Sequence, residues 1–272
     1  MAHRTLIGGT AYNITGGRSM VSGTAYNISG GRTMVGGTGY NIGFGSAETD
    51  EPTAMLYSDG NFVFQYGDKV ESGKTLTASY TGFENVTAAP PWNGKQNMFK
   101  NVKFYNEITP ISMYYWFYGA ENMQANISSF YLLNMSKVTR MNDAYTYCSN
   151  LTGSPVCGNN VTDMYRTYYN CANIGANAYF YSSNVSNSVN CFKYKNNSKY
   201  LNIYVPANSI TNNTVHYNNT RSLVGANITW KNAGTYQYNT TYNIYIYPVA
   251  NVAAAAIANG DEEANANAGI TV

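Results

Sequence analysis

Few residues in this chain of 272 could move a proton or attack a bond. Its only histidines are His3 and His216. A Ser-His-Asp relay through His216 would need a nucleophile on a strained turn, and no Gly-x-Ser-x-Gly segment supplies one. Glycosidic cleavage needs two carboxyl groups about 5–9.5 Å apart, one to protonate the leaving oxygen and one to attack or to activate water. In the central region the acids are Glu107, Glu121, Asp143 and Asp163. Asp143 and Asp163 fall in neighbouring copies of a repeat at offsets +2 and −1, so they could approach each other on one flank. Acids in such places also serve as helix-start or surface charges. The cysteines Cys148, Cys157, Cys171 and Cys191 are separated by 9, 14 and 20 residues, which fits no paired zinc spacing. Cys148 and Cys171 share a repeat position and are expected to be buried thiols. The Gly-Gly pairs near the start are followed by no Lys-Ser/Thr and are not phosphate loops. No catalytic residue, metal ligand or cofactor is assigned, and a non-enzyme is expected.

Contact-making side chains are plentiful instead. There are 27 Tyr against 3 Trp, and Asn recurs throughout. Both carry hydrogen-bonding groups and tolerate water, which suits surfaces that meet glycans or proteins. An AT-rich genome drifting toward Asn and Tyr codons would give the same bias. Charged residues make up 11% and the net charge is +2, so no basic stripe points to nucleic acid. No apolar run is long enough to span a membrane. Met1-Ala2-His3-Arg4 leads straight into a Gly-rich repeat without the apolar segment of a signal peptide. A surface-type composition without that segment is what a virion component, released by lysis, would have.

The elements that must position these residues are set by repeats. Met113, Met141, Met164 and, more weakly, Ser188 begin four copies of one pattern, with steps of 28, 23 and 24 residues. Four places on stand Phe117, Tyr145, Tyr168 and Phe192; then come Ala120, Cys148, Cys171 and Lys195; then Met123, Leu151, Ile174 and Ser198. Offsets of 4, 7 and 10 put these residues on one face of a short helix. A fixed period of this size marks a solenoid, in which each unit buries its apolar face against its neighbours. Strands are expected at Val102 to Tyr105, Ser129 to Leu133, Pro155 to Cys157, Ala178 to Tyr181 and Asn202 to Val205. Tyr114, Tyr115, Tyr147, Tyr165 and Tyr169 fall off the core register, as do Tyr179 and Tyr181 on a strand. Aligned across copies they would form an aromatic stripe for sugar stacking or protein contact.

A second repeat of 14 residues starts at Arg4, Arg18 and Arg32, with two short β-forming runs per copy joined by Gly-rich pairs. It predicts about six strands of an antiparallel meander. The recurring Arg4, Arg18 and Arg32 form a basic ladder, either for attachment to an acidic partner or to blunt sheet edges. Further strands are expected on both sides of Ser58-Asp59-Gly60-Asn61 and from Lys74 to Tyr80. Ala226 to Pro248 predicts a terminal hairpin. The Ala/Asn-rich tail from 250 has a composition usual for disorder, and if ordered it is expected to touch a neighbouring chain.

The fold class expected is therefore mainly β with short helices. Residues 1–46 form hairpin repeats, 47–99 a β-rich cap, 100–209 a repeat solenoid, 210–249 a hairpin cap and 250–272 a tail.

Val138-Thr-Arg-Met141-Asn-Asp-Ala-Tyr145-Thr-Tyr-Cys148-Ser-Asn-Leu151 resembles the repeat of BspA-like leucine-rich proteins and related mycoplasma surface lipoproteins. Val161-Thr-Asp-Met164 through Cys171-Ala-Asn-Ile174 does so too. Ile203-Tyr-Val-Pro206-Ala-Asn-Ser209 resembles their closing segment, and residues 56–81 resemble the lead-in of phage versions. The Gly-Gly-Thr-Ala-Tyr repeat is similar to the start of tail-associated proteins in phages of Firmicutes. The short Pro155-Val-Cys157 copy and the polar fourth copy depart from the pattern. The resemblance implies adhesion with no catalytic motif: a tail or capsid fibre or spike that attaches to a host-surface glycan or protein. Other virion proteins would be bound through the N-terminal repeats, and a homo-oligomer, a trimer by analogy with fibres, is expected. The alternatives are a bacterial cell-surface adhesin of BspA type and a fibre-borne glycan depolymerase.

Overall fold

In the computed structural model, side chains are described for residues 51–207, Leu223 and 238–270, while the strands between residues 3 and 41, Lys231–Asn232 and Gln237 are described as backbone only. The chain divides into two compact units, Met1–Glu48 and Thr49–Val272. The architecture is mainly sheet with few short helices.

In the first unit the strands are β1 (His3–Ile7), β2 (Thr10–Ile14), β3 (Arg18–Val21), β4 (Thr24–Asn27), β5 (Arg32–Val35) and β6 (Thr38–Asn41). The two strands of each copy pair antiparallel, with Ile7 opposite Thr10, Val21 opposite Thr24 and Val35 opposite Thr38. Two residues, at least one of them Gly, are left to connect each pair, the usual length of a tight hairpin. Arg4, Arg18 and Arg32 take one equivalent register position, opposite Asn13, Asn27 and Asn41. The described pairings all lie within copies; the sheet pairing between copies that a meander requires is not among them. The side chains of His3 and of the three arginines, and all of His216, lie outside the described residues.

The second unit opens with a four-stranded sheet. Its strands β7 (Pro52–Tyr57), β8 (Asn61–Tyr66), β9 (Leu76–Thr81) and β10 (Asn101–Phe104) are ordered β10-β8-β7-β9. The β7–β8 turn works because Asp59 Oδ1 accepts from Asn61 N–H at 3.0 Å and Gly60 sits at φ 87°. A Cβ on Gly60 would also stand 2.7 Å from Lys100 Cγ and 2.9 Å from the Met98 carbonyl oxygen, so only glycine fits. Phe62 and Phe64 of β8 enter a buried ring cluster with Phe83, Trp92, Phe99, Phe104 and Trp116. The buried Trp92 indole is satisfied by donating to the Trp116 carbonyl at 2.7 Å.

The four central copies stack in register, but not as helices. Parallel bridges join Ser112 to Arg140, Arg140 to Asp163 and Asp163 to Asn187, the residues just before each copy. From there every second N–H donates to the next copy. Met113, Tyr115, Phe117 and Gly119 reach the carbonyls of Arg140, Asn142, Ala144 and Thr146 at 2.8–3.2 Å, and the second and third copies repeat the arrangement. The intervening N–H groups close turns within a copy, as Trp116 to Met113 and Ala120 to Phe117. Each copy is thus a run of tight turns with left-handed residues at offsets +2 and +6: Tyr115 and Gly119, Asp143 and Tyr147, Arg166 and Asn170, Asn190 and Tyr194. This corrects the expected helix. A helix would keep its N–H groups for its own carbonyls, whereas here half of them bind the next copy.

The core register itself is as the repeat predicts. Met141, Tyr145, Cys148 and Leu151 are fully buried, as are Met164, Tyr168 and Cys171. Phe117, Tyr145, Tyr168 and Phe192 stack face to face, with centroid steps of 5.3, 5.3 and 5.6 Å. Offset +3 is buried too (Trp116, Ala144, Thr167, Cys191), which places Cys191 in the pattern. All four cysteines are free and buried, and burial pushes their thiols up. Asparagines tie the copies together. Asn122, Asn150 and Asn173, all at offset +9, donate to carbonyls of the preceding turn at 2.8–3.2 Å. The abundance of Asn thus has a structural use, whatever its genomic origin.

A second sheet takes β11 (Val156–Cys157), β12 (Asn177–Phe180), β13 (Leu201–Pro206), β14 (Lys231–Asn232), β15 (Gln237–Asn239) and β16 (Ile244–Val249). Its order is β11-β12-β13-β16-β15-β14, and β11 to β16 run parallel through β12 and β13. The strand expected at Ser129 to Leu133 is absent. Ile127–Phe130 is a 3₁₀ turn, because Asn126 Oδ1 accepts from Ser128 N–H, Ser129 Oγ donates back to Asn126, and Ile127 and Phe130 are buried three apart.

The Ala/Asn-rich tail forms α1 (Val252–Ala258) and α2 (Glu263–Ala268). It packs on its own chain: α1 on β12 and β13, α2 on β11 and the 3₁₀ turns. Asp261 between the helices accepts from Ser154 Oγ, Asn177 Nδ2 and Tyr179 Oη at 2.7–3.0 Å. One cluster of buried side chains runs from Ala54 to Ala268, so the cap, repeat and tail segments share a core.

Two tests follow from this interior. Tyr168 Oη is doubly bonded to Val156, at 3.0 and 2.8 Å, while the Tyr145 hydroxyl has no partner. Tyr168→Phe should cost about 1–3 kcal/mol in urea unfolding, and Tyr145→Phe should be neutral or stabilising. In the last copy Lys195 takes the core place of the cysteines, only 6% exposed, its amine held by the carbonyls of Lys199 and Asn196. Burial pulls its pKa from 10.5 down to about 8. The charged form therefore penalises the fold fully below that value, and the penalty fades as pH rises through the window up to 10.5. Lys195→Leu should raise the melting temperature at pH 7, and the gain over the parent should shrink between pH 8 and 10.5.

Candidate functional site

Offsets 0, +3, +4 and +7 point inward, and offsets +1, +2, +5 and +6 lie on the outer side, half-buried or exposed except in the second copy, where Asn142, Asp143 and Thr146 are buried. On that outer side lie half-buried Tyr114, Tyr115, Tyr118, Tyr147, Tyr165 and Tyr169, and Tyr194 at 60% exposure. Tyr118, Tyr147, Tyr169 and Tyr194 form a ladder across all four copies, with centroid steps of 5.8, 5.5 and 5.2 Å and successive planes at 79–85°. Tyr115 lies flat against Tyr118 at 4.5 Å and 16°, and Tyr114 follows at 4.4 Å. Left-handed turns place Tyr115, Tyr147 and Tyr194, at φ of 61–65°, where side chains must leave the stack sideways.

Cations sit among the rings. Arg140 lies 4.2 Å above Tyr114, Arg166 is 5.3 and 5.2 Å from Tyr165 and Tyr169, and Lys193 is 5.1 Å from Tyr194. Arg166 also pairs with Asp143 of the adjacent copy at 2.9 Å. Asp143 is 4% exposed, accepts from Thr146 Oγ1 at 3.0 Å, and has its carboxyl pushed up by burial against the opposing pull of Arg166. Asp163 instead caps the start of its copy, accepting from Tyr165 N–H at 3.1 Å and Asn142 Nδ2 at 2.7 Å. Ser112 and Asn187 make the same cap at equivalent places. Asp143 and Asp163 thus have structural partners, Glu107 accepts from Asn134 Nδ2 at 3.0 Å, and Glu121 is exposed. Among the described residues no group of three or more His, Cys, Asp or Glu could hold a metal ion.

At the first copy the ladder opens onto a shallow groove of about 380 Å³ lined by Asn93, Gly94, Gln96, Asn97, Tyr115, Tyr118 and Gly119. Gln96, 3% exposed, braces it by donating to the Tyr115 carbonyl at 3.0 Å and accepting from Gly94 N–H at 2.7 Å.

Five of the tyrosines expected in an aromatic stripe, Tyr114, Tyr115, Tyr147, Tyr165 and Tyr169, come together here. Tyr179 and Tyr181 do not. Tyr179 is 0% exposed, stacks on Tyr204 and donates to Asp261 at 2.7 Å, while Tyr181 donates to Asn265 at 2.7 Å. Their faces are covered by the C-terminal helices, which the strand pattern gave no means to foresee. Tyr118 and Tyr194 belong to the ladder and escaped the sequence reading. Aligning offsets +5 and +6 across copies would have found them.

No family model, curated protein or solved structure matches the chain. What the surface can do rests on its own geometry: rigid half-buried rings with fixed cations, suited to stacking and to weak polar contacts.

The Asp143–Arg166 pair ties two copies beneath the rings, so breaking it should loosen the surface. Arg166→Gln leaves a buried carboxylate without its cation and should lower the melting temperature at pH 7. Burial already makes Asp143 easier to protonate in the folded state, and losing Arg166 adds to that, so the deficit should narrow as pH falls from 7 into the acid range. The double variant Asp143→Asn/Arg166→Gln should recover much of the loss, and additive losses across this cycle would show that the two side chains do not interact.

Proposed function

We propose that this protein is a non-enzymatic structural and adhesive component of a phage particle, a tail- or capsid-associated fibre or spike that attaches to the host surface. The tyrosine ladder carries the reading. Seven half-buried or exposed rings are concentrated on one set of stacked turns, in which Tyr115 and Tyr147 donate their N–H groups to the next copy and the carbonyls of Tyr165 and Tyr169 accept from the copy before. Rings held in this way lose little entropy on contact, the property that makes aromatic residues dominate binding surfaces.

Residues 100–209 are read as a short solenoid of the BspA-like leucine-rich type. The in-register stacking and the repeat segments ending at Leu151 and Ile174 support this. The N-terminal hairpins are the attachment handle, binding other virion proteins or further copies of the chain. Their three near-identical units and the recurring Arg4, Arg18 and Arg32 support that role.

Mass spectrometry of purified particles should detect the chain. Its absence there together with presence on bacterial envelopes would replace the virion reading with that of a bacterial surface adhesin. Labelled protein should also bind host cells. Tyr118→Ala/Tyr147→Ala should weaken binding about tenfold or more, the effect of losing central aromatic contacts. Tyr131→Ala, which alters an exposed ring outside the ladder, should leave binding unchanged.

A further inference from the structure

The groove at the first copy is more specific than the ladder it joins. Tyr118 and Tyr115 both line it, their rings 4.5 Å apart and nearly parallel. Tyr115 is itself immobilised by its N–H bond to the Asn142 carbonyl at 3.2 Å and by the Gln96 amide on its own carbonyl. The rim carries the amides of exposed Asn93 and Asn97. Asn93 Oδ1 accepts from Gln96 Nε2 at 3.3 Å, which leaves its Nδ2 group as a donor toward a ligand. Gly94 and Gly119 flank the opening, and a Cβ at either would meet nothing within 4 Å, so the walls are bare on both sides.

No charged side chain lines the groove. On the adjoining ladder Arg166 is already paired with Asp143, while Arg140 and Lys193 lie outside the groove, against the rings of Tyr114 and Tyr194. A polyanion would therefore find little to neutralise its charge in the groove. A flat apolar ring face beside amide donors and acceptors matches one kind of ligand well: a neutral pyranose, whose C–H face stacks on an aromatic ring while its hydroxyls bond to amides. The ladder continues from Tyr118 to Tyr147, Tyr169 and Tyr194 in steps of 5.8, 5.5 and 5.2 Å. That gives successive contacts to a chain of sugars lying across the copies.

Building on the adhesion reading, we propose that the Asn93–Tyr115–Tyr118 groove is the anchoring subsite for an uncharged polysaccharide, with the ladder holding the sugars that follow. Binding by it is non-covalent and should strengthen with the length of the polysaccharide, as linked weak contacts do.

Affinity electrophoresis of the full chain through gels containing mannan, dextran, laminarin or galactomannan, with polygalacturonate as the polyanion, tests this directly. At least one neutral polymer should retard the protein. Tyr118→Ala and Asn93→Ala should each weaken that retardation about tenfold, and Tyr118→Phe, which keeps the stacking face, should stay within about twofold. Asn93 is exposed, so its variant should fold normally even if Tyr118→Ala does not. Retardation by polygalacturonate alone, by none of the polymers, or equally for the parent and Asn93→Ala overturns the proposal. Host cells supply the second arm. Periodate oxidation of their glycans should abolish binding. Binding that survives periodate but is lost on protease treatment overturns the sugar subsite and leaves adhesion standing. Retardation by a neutral polymer without any binding to cells or presence in particles overturns the adhesion reading and leaves the subsite.

Discussion

Half of the N–H groups in each of the first three central turn runs are given to the next copy, and most of the molecule follows from that division. Met113, Tyr115, Phe117 and Gly119 bond across, while Trp116 and Ala120 close turns within the copy. The alternation forces a left-handed residue at two places per copy. Seven of the eight positions are filled by residues other than glycine: Tyr115, Asp143, Tyr147, Arg166, Asn170, Asn190 and Tyr194. Such conformations cost on the order of 1–3 kcal/mol each when nothing holds them. The cross-copy hydrogen bonds and the buried ring stack hold them here, so the cost is spread over a cooperative array. A lone copy would have neither, which is why the unit exists only as a stack.

The interior repeats the same logic in side chains. Phe117, Tyr145, Tyr168 and Phe192 keep one stacking geometry through four copies, and Cys148 and Cys171 fill the smaller place beside them. Those two thiols donate to the Phe117 and Tyr145 carbonyls of the preceding copy at 3.1 and 3.0 Å. Even the cysteines thus act as inter-copy ties. The asparagines at offset +9 do the same at the outer corner. The stack weakens where these devices run out, at the copy whose core position is Lys195.

Core positions were legible in the sequence because burial depends only on which residues recur. The local conformation was not. Offsets of 4, 7 and 10 suit a helix, but a chain of three- and four-residue turns brings the same residues inward, so the periodicity could not tell the two apart. Asn170, Asn190 and Gly119 at left-handed positions were a signal for turns; Tyr115, Arg166 and Tyr147 in equivalent places concealed it. The 3₁₀ turn at Ile127–Phe130 was hidden for a similar reason. The run Ser129-Phe-Tyr-Leu-Leu133 reads as a strand until the Asn126 cap upstream of it is recognised. The C-terminal helices were the least visible element, since alanine and asparagine say nothing about what Asp261 will find to bind.

That last element sharpens the case for the ladder. The chain carries aromatic residues on two flanks and treats them differently. Tyr179, Tyr204 and Tyr247 stack on the sheet side at 5.3 Å steps, and α1 packs against β12 and β13 there, with Asp261 accepting the Tyr179 hydroxyl and Asn265 that of Tyr181. Tyr118, Tyr147, Tyr169 and Tyr194 make a comparable ladder on the turn side, where the first three rings are half-buried and Tyr194 is 60% exposed. Rings left at a surface after the chain has covered its other aromatic flank expose apolar area that a merely structural role gives no reason to keep. Their rigidity, their spacing and the groove at one end are what contact with a second molecule would use. The difference between the two flanks is the reason for proposing the turn side as the working face.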